Sequence, residues 1–339
     1  MESIFGGAVL GMAVVATMGI TFGGVLGLTM DYYSRTCPLA EPTVRNTVAA
    51  AVHSNLTLAA GILRMHFHDC FIQVSLALSL RKSMHYYKCY YGFGSGVRWF
   101  RADRLDGEQH GGEGLAGKSE PEGLRGDRRS QAAAGAALPR RRSCADILAM
   151  AARDAVLFSG GPFYWIPQGR MDGRVSRIAD TAGLPAPTLN GTEQLRAFGQ
   201  RGFSPRELVA LSGGHTLGAA SCATFKARLS PSDPTIDPAF ARQLADTCGG
   251  GDAVRQPFDA TRNAFDAAYF HELTGGRGVL FSDQALFSTP QTRGVVRGYA
   301  LNQAMFFFDF QRAIVKMGSL DVKDASAGEV RRSCRRING

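Results

Sequence analysis

The 339-residue sequence predicts a mainly α-helical fold with long loops. Three observations predict it. Apolar residues recur at helical spacing in windows at 40–56, 59–72 and 145–159, where a strand would alternate instead. Ser204-Pro205-Arg206-Glu207 is a helix start, a capping box with proline at the first helical position. Strand signals are few and short.

The elements follow in order. Residues 3–30 carry no charge and are rich in Gly, Ala, Val and Leu. That is the apolar region of a secretory signal peptide, although Glu2 stands where a positive residue is usual. A retained anchor is the alternative, because the run exceeds the roughly 20 residues that span a bilayer. The helical windows 40–56 and 59–72 come next. Residues 74–143 depart from this pattern, since they lack a clear period and are read as a loop too long for a compact domain. The helix at 145–159 follows, and then the capped helix from Pro205 to Leu211, which Gly213-Gly214 ends. Residues 265–274 and 290–316 read as further helices.

Composition limits the function classes. With 45% apolar and 20% charged residues the chain is neither disordered throughout nor collagen-like. The net charge is +9, but residues 74–143 hold thirteen Lys/Arg against seven Asp/Glu. The basic excess thus sits mostly in one irregular stretch, so no nucleic-acid partner is expected. Seven cysteines, at 37, 70, 89, 144, 222, 248 and 334, include no Cys-x-x-Cys, which disfavours zinc ribbons and thioredoxin-like redox motifs. In a secreted chain they default to disulfides, with at least one thiol left over. Asn55-Leu56-Thr57 and Asn190-Gly191-Thr192 are glycosylation sequons, usable on that route.

Two histidine motifs carry chemistry. In Arg64-Met65-His66-Phe67-His68-Asp69-Cys70, Arg64 and His68 are four residues apart and share a helix face, with Phe67 beside them and His66 pointing elsewhere. A guanidinium and an imidazole so placed suit acid–base work on a bound oxygen species. In Leu211-Ser212-Gly213-Gly214-His215-Thr216-Leu217-Gly218, the histidine follows two glycines that let the backbone approach something flat. Either motif alone is common.

Taken together, these two motifs, Ser143-Cys144-Ala145-Asp146-Ile147-Leu148 between them and Ser282-Asp283-Gln284 after them resemble the class III secretory plant haem peroxidases. Tyr33-Ser34-Arg35-Thr36-Cys37-Pro38 is similar to that family's mature N-terminus. The resemblance covers residues 31–73 and 143–336. It implies an all-α fold with haem b between a distal half, about 31–165, and a proximal half, about 166–336. It also implies a secreted, monomeric enzyme, placed outside the cell, in the wall or in the vacuole. Such an enzyme oxidises small phenolic donors with hydrogen peroxide, and so serves peroxide catabolism and the response to oxidative stress.

The resemblance also assigns roles. His215 is similar to the proximal ligand of the haem iron, Asp283 to the carboxylate that accepts its other ring proton, and Phe67 to a haem-side residue. His68 resembles the distal base and Arg64 the cation that stabilises charge developing on oxygen. Pro185, in Leu184-Pro185-Ala186-Pro187, resembles a lining residue of the donor access loop. Arg170 and Asp146 look like a structural ion pair. Of two calcium sites, the proximal one maps onto Thr216, Asp259, Thr261 and Asp266, in a loop one residue shorter than usual at Asp259 and Thr261. Asp69 alone remains of the distal side-chain ligands, so that site is expected to be lost. Cys144–Cys334 and Cys222–Cys248 can still pair as in the family, whereas Cys37 and Cys70 have lost their partners.

The departure begins at Val74, where the family continues Gly-Cys-Asp-x-Ser. Val74-Ser75 can be encoded by GTAAGC, the form of an intron's 5′ signal. Read one base out of frame, codons for Val97–Asp103 and Ser119–Asp127 yield two missing family runs, Cys-Asp-Gly-Ser-Val-Leu and Pro-Ser-Leu-Arg-Gly-Phe-Glu-Val. The expectation is a retained intron and shifted frame over about 74–142, the alternative a genuine insertion. Two further readings follow from this departure: a haem-binding or misfolded product with impaired catalysis, and a basic protein that binds cell-wall polyanions or nucleic acid.

Overall fold

A computed structural model describes residues 27–72, 142–175, 183–229, 233–332, 334 and 337–338. The leader up to residue 26 and the anomalous segment up to residue 141, with Cys89, lie outside the described residues.

Three helices form the first packing unit. In α1 (Ala40–Ser54), Ala40, Val44, Val48 and Val52 recur every fourth residue and form the buried stripe. The loop at Asn55 leads to α2 (Leu58–Ile72). Helix α3 (Cys144–Phe158) starts at Ser143, whose hydroxyl accepts from Asp146 N at 3.1 Å. Both α1 and α2 pack on α3, whose Ala149, Ala151, Ala152 and Ala155 are buried; such small side chains permit close helix approach.

Buried charge in α3 is paired. Arg153 is fully buried, donates from Nε and Nη2 to the Asp154 carboxylate at 2.9 and 3.1 Å, and reaches Glu41 of α1 at 3.1 Å. Asp146, equally buried, accepts from Tyr33 Oη at 2.7 Å, Gly169 N at 2.8 Å and Arg170 Nη1 at 3.0 Å. Arg170 Nε in turn donates to Gly318 O at 2.7 Å. The Arg170–Asp146 pair thereby ties the chain start, α3 and the end of the last helix together.

Among the described residues eight more α-helices follow: α4 (Gly191–Gly199), α5 (Pro205–Ser212), α6 (Cys222–Phe225), α7 (Pro238–Cys248), α8 (Ala268–Thr274), α9 (Phe281–Ser288), α10 (Pro290–Leu301) and α11 (Gln303–Met317). Helix α11 lies along α5, and α10 packs on α8 and α9. Two short antiparallel pairs complete the described residues: β1 (Asp172–Gly173) with β4 (Gly328–Glu329), and β2 (Ala219–Ser221) with β3 (Arg255–Pro257). One apolar core joins α1, α2 and α3 to α5, α8, α10 and α11. Disulfides link Cys144 to Cys334 and Cys222 to Cys248, and Cys37 and Cys70 are free and buried.

Helix boundaries depart from the sequence reading in identifiable places. The helix read at 265–274 starts at Ala268, because the Asp266 carboxylate accepts from Ala268 N at 2.8 Å and holds the preceding residues outside it. The stretch 290–316 is two helices, broken at Asn302 (φ −144°, ψ 92°), whose side chain caps α11 by accepting from Met305 N. Helices α4, α6, α7 and α9 fall where no helix is predicted. Helix α4 has a capping box, Asn190 with Glu193, and α7 has Asp237 before Pro238, so both starts carry a legible signal. Thr29, inside the expected leader, exchanges both backbone hydrogen bonds with Gln168, at 2.9 and 2.7 Å. No helix among the described residues is long and apolar enough to cross a membrane.

Candidate active site

Arg64, Phe67 and His68 project from one side of α2. Arg64 Nε donates to His68 Nε2 at 3.2 Å, a contact that the four-residue helical spacing allows. Burial, and then the Arg64 charge, lower the His68 pKa to about 4, so the ring is neutral at neutral pH with a nitrogen open to a proton. Phe67 stacks on Phe71 at 4.4 Å. His66 faces the other way, into the core beside Cys70 and Arg170, and burial lowers its pKa to about 3.

The facing wall is the end of α5. Ser204 and Glu207 cap its start reciprocally and Pro205 occupies the first turn. Gly213–Thr216 continue it as a tight 3-10 turn carrying His215. The flat objects at the first glycine are two phenylalanine rings: a Cβ on Gly213 would lie 2.4 Å from Phe306 and 2.7 Å from Phe270. A Cβ on Gly214 would sit 3.4 Å from Leu63, and one on Gly218 2.9 Å from Ala60. The His215 turn is therefore seated directly on α2, one residue from Arg64.

His215 Nδ1 lies 2.8 Å from Asp283 Oδ1. Tyr269 Oη donates to that same oxygen at 3.0 Å, and Leu280 N donates to Oδ2 at 3.0 Å. Asp283 is thus an acceptor on every side, which puts the ring proton of His215 on Nδ1 and leaves Nε2 with a free lone pair. Phe258 stacks on the His215 ring at 4.6 Å and 5°, and Tyr269 meets it edge-on at 6.0 Å. The Asp283 side chain is 2% exposed while that of His215 is 43% exposed, so the pair is buried at its anchored end and open at the other.

Next to His215, Thr216 Oγ1 donates to Asp259 Oδ2 at 2.7 Å and lies 3.1 Å from Asp266 Oδ1. Thr261 Oγ1 is 3.2 Å from Asp259 Oδ1 and 3.1 Å from Asp266 Oδ1. Burial, with the Asp266 charge adding to it, raises the Asp259 pKa to about 6. Two carboxylates and two hydroxyls converging without a basic partner in that set are hard oxygen donors for a cation. The short loop does bring Asp259 and Thr261 to the others. Asp69, at the end of α2, is half-buried.

The segment with Pro185 runs between α2 and the start of α9. A Cβ on Gly183 would lie 3.9 Å from Phe71 O of α2, and Pro187 O accepts from Ser282 N, next to Asp283, at 3.0 Å. Pro185 itself is partly exposed.

The family model described as Peroxidase matches residues 44–302, more than half of the chain and both walls of this site. The chain belongs to the peroxidase family. Peroxidase 47 of Arabidopsis thaliana is 50% identical over 312 residues, 92% of this chain and 89% of that protein. Peroxidase 57 of the same plant is 39% identical, covering 92% of this chain and 93% of its own. The cationic peroxidase SPC4 of Sorghum bicolor is 38% identical, covering 92% and 82%. The chain is thus a class III haem peroxidase, which oxidises a reducing substrate at the expense of hydrogen peroxide. These matches do not favour the reading as an impaired or misfolded product.

The residues fit haem. An imidazole held at Nδ1 by Asp283, with Nε2 at its open end, would hold the iron, and α2 supplies an acid–base pair in Arg64 and His68. Sequence reasoning passes over two residues of this site, Phe258 and Tyr269. Tyr269 falls within a segment read as helix, and only the fold shows that its hydroxyl reaches Asp283.

Proposed function

We propose that this peroxidase is a secreted enzyme that oxidises small phenolic donors. His215 serves as the iron ligand, Asp283 as its proton acceptor, His68 as the distal base, Arg64 as the distal cation and Phe67 as a wall against the haem. The observation that supports the reading is the contact of the His215 turn with α2, where a Cβ on Gly214 would lie 3.4 Å from Leu63, the residue before Arg64.

Bound haem supplies the iron at which the peroxide bond is cleaved and from which two donors are each oxidised by one electron. The protein supplies protons and charge. To receive a proton from hydrogen peroxide, His68 Nε2 must give up its contact with Arg64 Nε, and that N–H can then turn to charge developing on the departing oxygen. His68 then returns the proton to that oxygen, which leaves as water. Over a full cycle one peroxide and two phenols give two waters and two phenoxyl radicals. Asp283 holds the His215 proton at Nδ1 and makes Nε2 a stronger donor. The loop at Pro185 lines the donor's approach.

Thr216, Asp259, Thr261 and Asp266 would hold calcium, which offsets the mutual repulsion of the two carboxylates. Asp69 lacks the rest of a distal set, so one calcium per chain is proposed. The leader ends before Thr29, whose pairing with Gln168 belongs to the folded body. Asn55 and Asn190 are exposed and carry the glycans; Asn55 already accepts from Thr57 N and Oγ1 at 3.1 and 2.7 Å. We further propose a monomer without nucleic-acid partners. The test is turnover of hydrogen peroxide with a phenol by the haem-loaded full chain, against His68→Leu and His215→Ala. Turnover lost in both variants supports the assignment, and turnover retained in either refutes that residue's role.

A further inference from the structure

We propose that Tyr269 is a positioning residue of the proximal pair, which sets through its hydrogen bond how strongly Asp283 draws on the His215 ring proton. The inference rests on the reading of His215 as the iron ligand. Two donors share one oxygen: His215 Nδ1 and Tyr269 Oη stand 2.8 and 3.0 Å from Asp283 Oδ1, while Leu280 N occupies Oδ2. An oxygen that accepts two hydrogen bonds is a weaker acceptor for each, and a phenol bound to a carboxylate makes a charge-assisted bond comparable to that of the imidazole.

The geometry makes this influence fixed. Tyr269 is 1% exposed and Asp283 2% exposed, away from bulk solvent that would screen the bond. Tyr269 is held edge-on to His215 at 87° and packed against Phe270 at 5.1 Å, so the hydroxyl cannot swing to another acceptor without disturbing α8. Its hydroxyl points at Asp283 Oδ1 and donates to it from a position closed to solvent. Removing the hydroxyl leaves the whole acceptor strength of Oδ1 to His215. The Nδ1 proton then shifts toward Asp283, the ring gains imidazolate character and Nε2 becomes a stronger donor to iron. Tyr269 thus moderates the push that Asp283 exerts.

The test compares haem-loaded wild type, Tyr269→Phe and Asp283→Asn by the iron–histidine stretching frequency of the ferrous state and by reduction midpoint potential. Thermal unfolding of each is the control. Tyr269→Phe should raise the frequency and make the potential more negative; Asp283→Asn should move both the opposite way. A ring-fluorinated tyrosine at 269, a stronger donor of the same shape, should shift both in the sense opposite to Tyr269→Phe. It decides the matter if Tyr269→Phe does not fold. Frequency and potential unchanged by loss of the hydroxyl or by fluorination, while Asp283→Asn moves them, would overturn the role of Tyr269 alone. Neither quantity responding to Asp283→Asn would instead overturn the His215 reading on which it rests.

Discussion

Gly213→Ala adds one methyl group to the turn that carries His215, and the structure determines its sign. At an αR position such as this one (φ −59°, ψ −16°) alanine ordinarily stabilises by about 0.4–1 kcal/mol, because the unfolded chain loses freedom. Here the new Cβ would stand 2.4 Å from Phe306 Cε2 and 2.7 Å from Phe270 Cζ, against the roughly 3.5–4.0 Å of an ordinary carbon contact. Both rings must retreat by roughly 1 Å. They have nowhere to go: each is fully buried, they lie 4.9 Å apart, and Phe265, Tyr299 and Phe310 surround Phe306. Overpacking of this kind costs about 1–3 kcal/mol, and the immobility of the cluster places it at the upper end. The net loss is about 2 kcal/mol, a fall in melting temperature of roughly 3 °C for a chain of this length. Gly214→Ala meets Leu63 at 3.4 Å and Phe310 at 3.9 Å, near ordinary contact, and should stay within about 0.5 kcal/mol of wild type. Differential scanning calorimetry of the two variants, with the haem absorption spectrum recorded alongside, checks the contrast. A Gly213→Ala protein that melts at or above wild type would refute the reasoning.

Other outcomes follow from the same geometry. His215→Ala should abolish the five-coordinate histidine haem spectrum, and an unchanged absorption spectrum would remove His215 from the iron. His68→Leu should slow the reaction with peroxide by at least about 10²-fold, the contribution of a general base, and Arg64→Leu should also slow it; stopped-flow absorbance measures both. In calcium-free protein the Asp259 pKa is raised to about 6, above its unfolded value, so its contribution to stability is present at low pH and is lost as pH rises toward 6 and beyond. Calcium binding, which favours the charged carboxylate, should flatten that decline in melting temperature, and Asp259→Asn should remove the decline and the calcium response together. His66 has a folded pKa lowered to about 3, so the unfolded state binds more protons below the ordinary histidine pKa. Stability should therefore fall with pH from about 6.5 toward 3, and His66→Gln should make that acid limb shallower in urea titrations.

The sequence by itself determined the helical class, the starts of α1, α2, α3 and α5, and the identity of the two histidine motifs. These are local properties: apolar spacing, capping side chains and the four-residue relation of Arg64 to His68 act within a turn or two of helix. Motif resemblance carried Asp283, Thr216, Asp259, Thr261 and Asp266 to this chain without their geometry. The break at Asn302 and the late start of α8 escaped because each is made by a side chain, Asn302 or Asp266, competing for backbone N–H groups inside an otherwise helical pattern. Only the tertiary structure decided that the two histidine motifs come close, since Leu63 and Gly214 are far apart in sequence and meet only when α2 docks on the end of α5. It also decided that Tyr269 shares the Asp283 oxygen with His215, although fourteen residues separate Tyr269 from Asp283 and sixty-eight separate His215 from it. Contacts at such separations come from the burial of apolar faces that bring whole helices together, and no short stretch of sequence encodes which hydroxyl will then face which carboxylate.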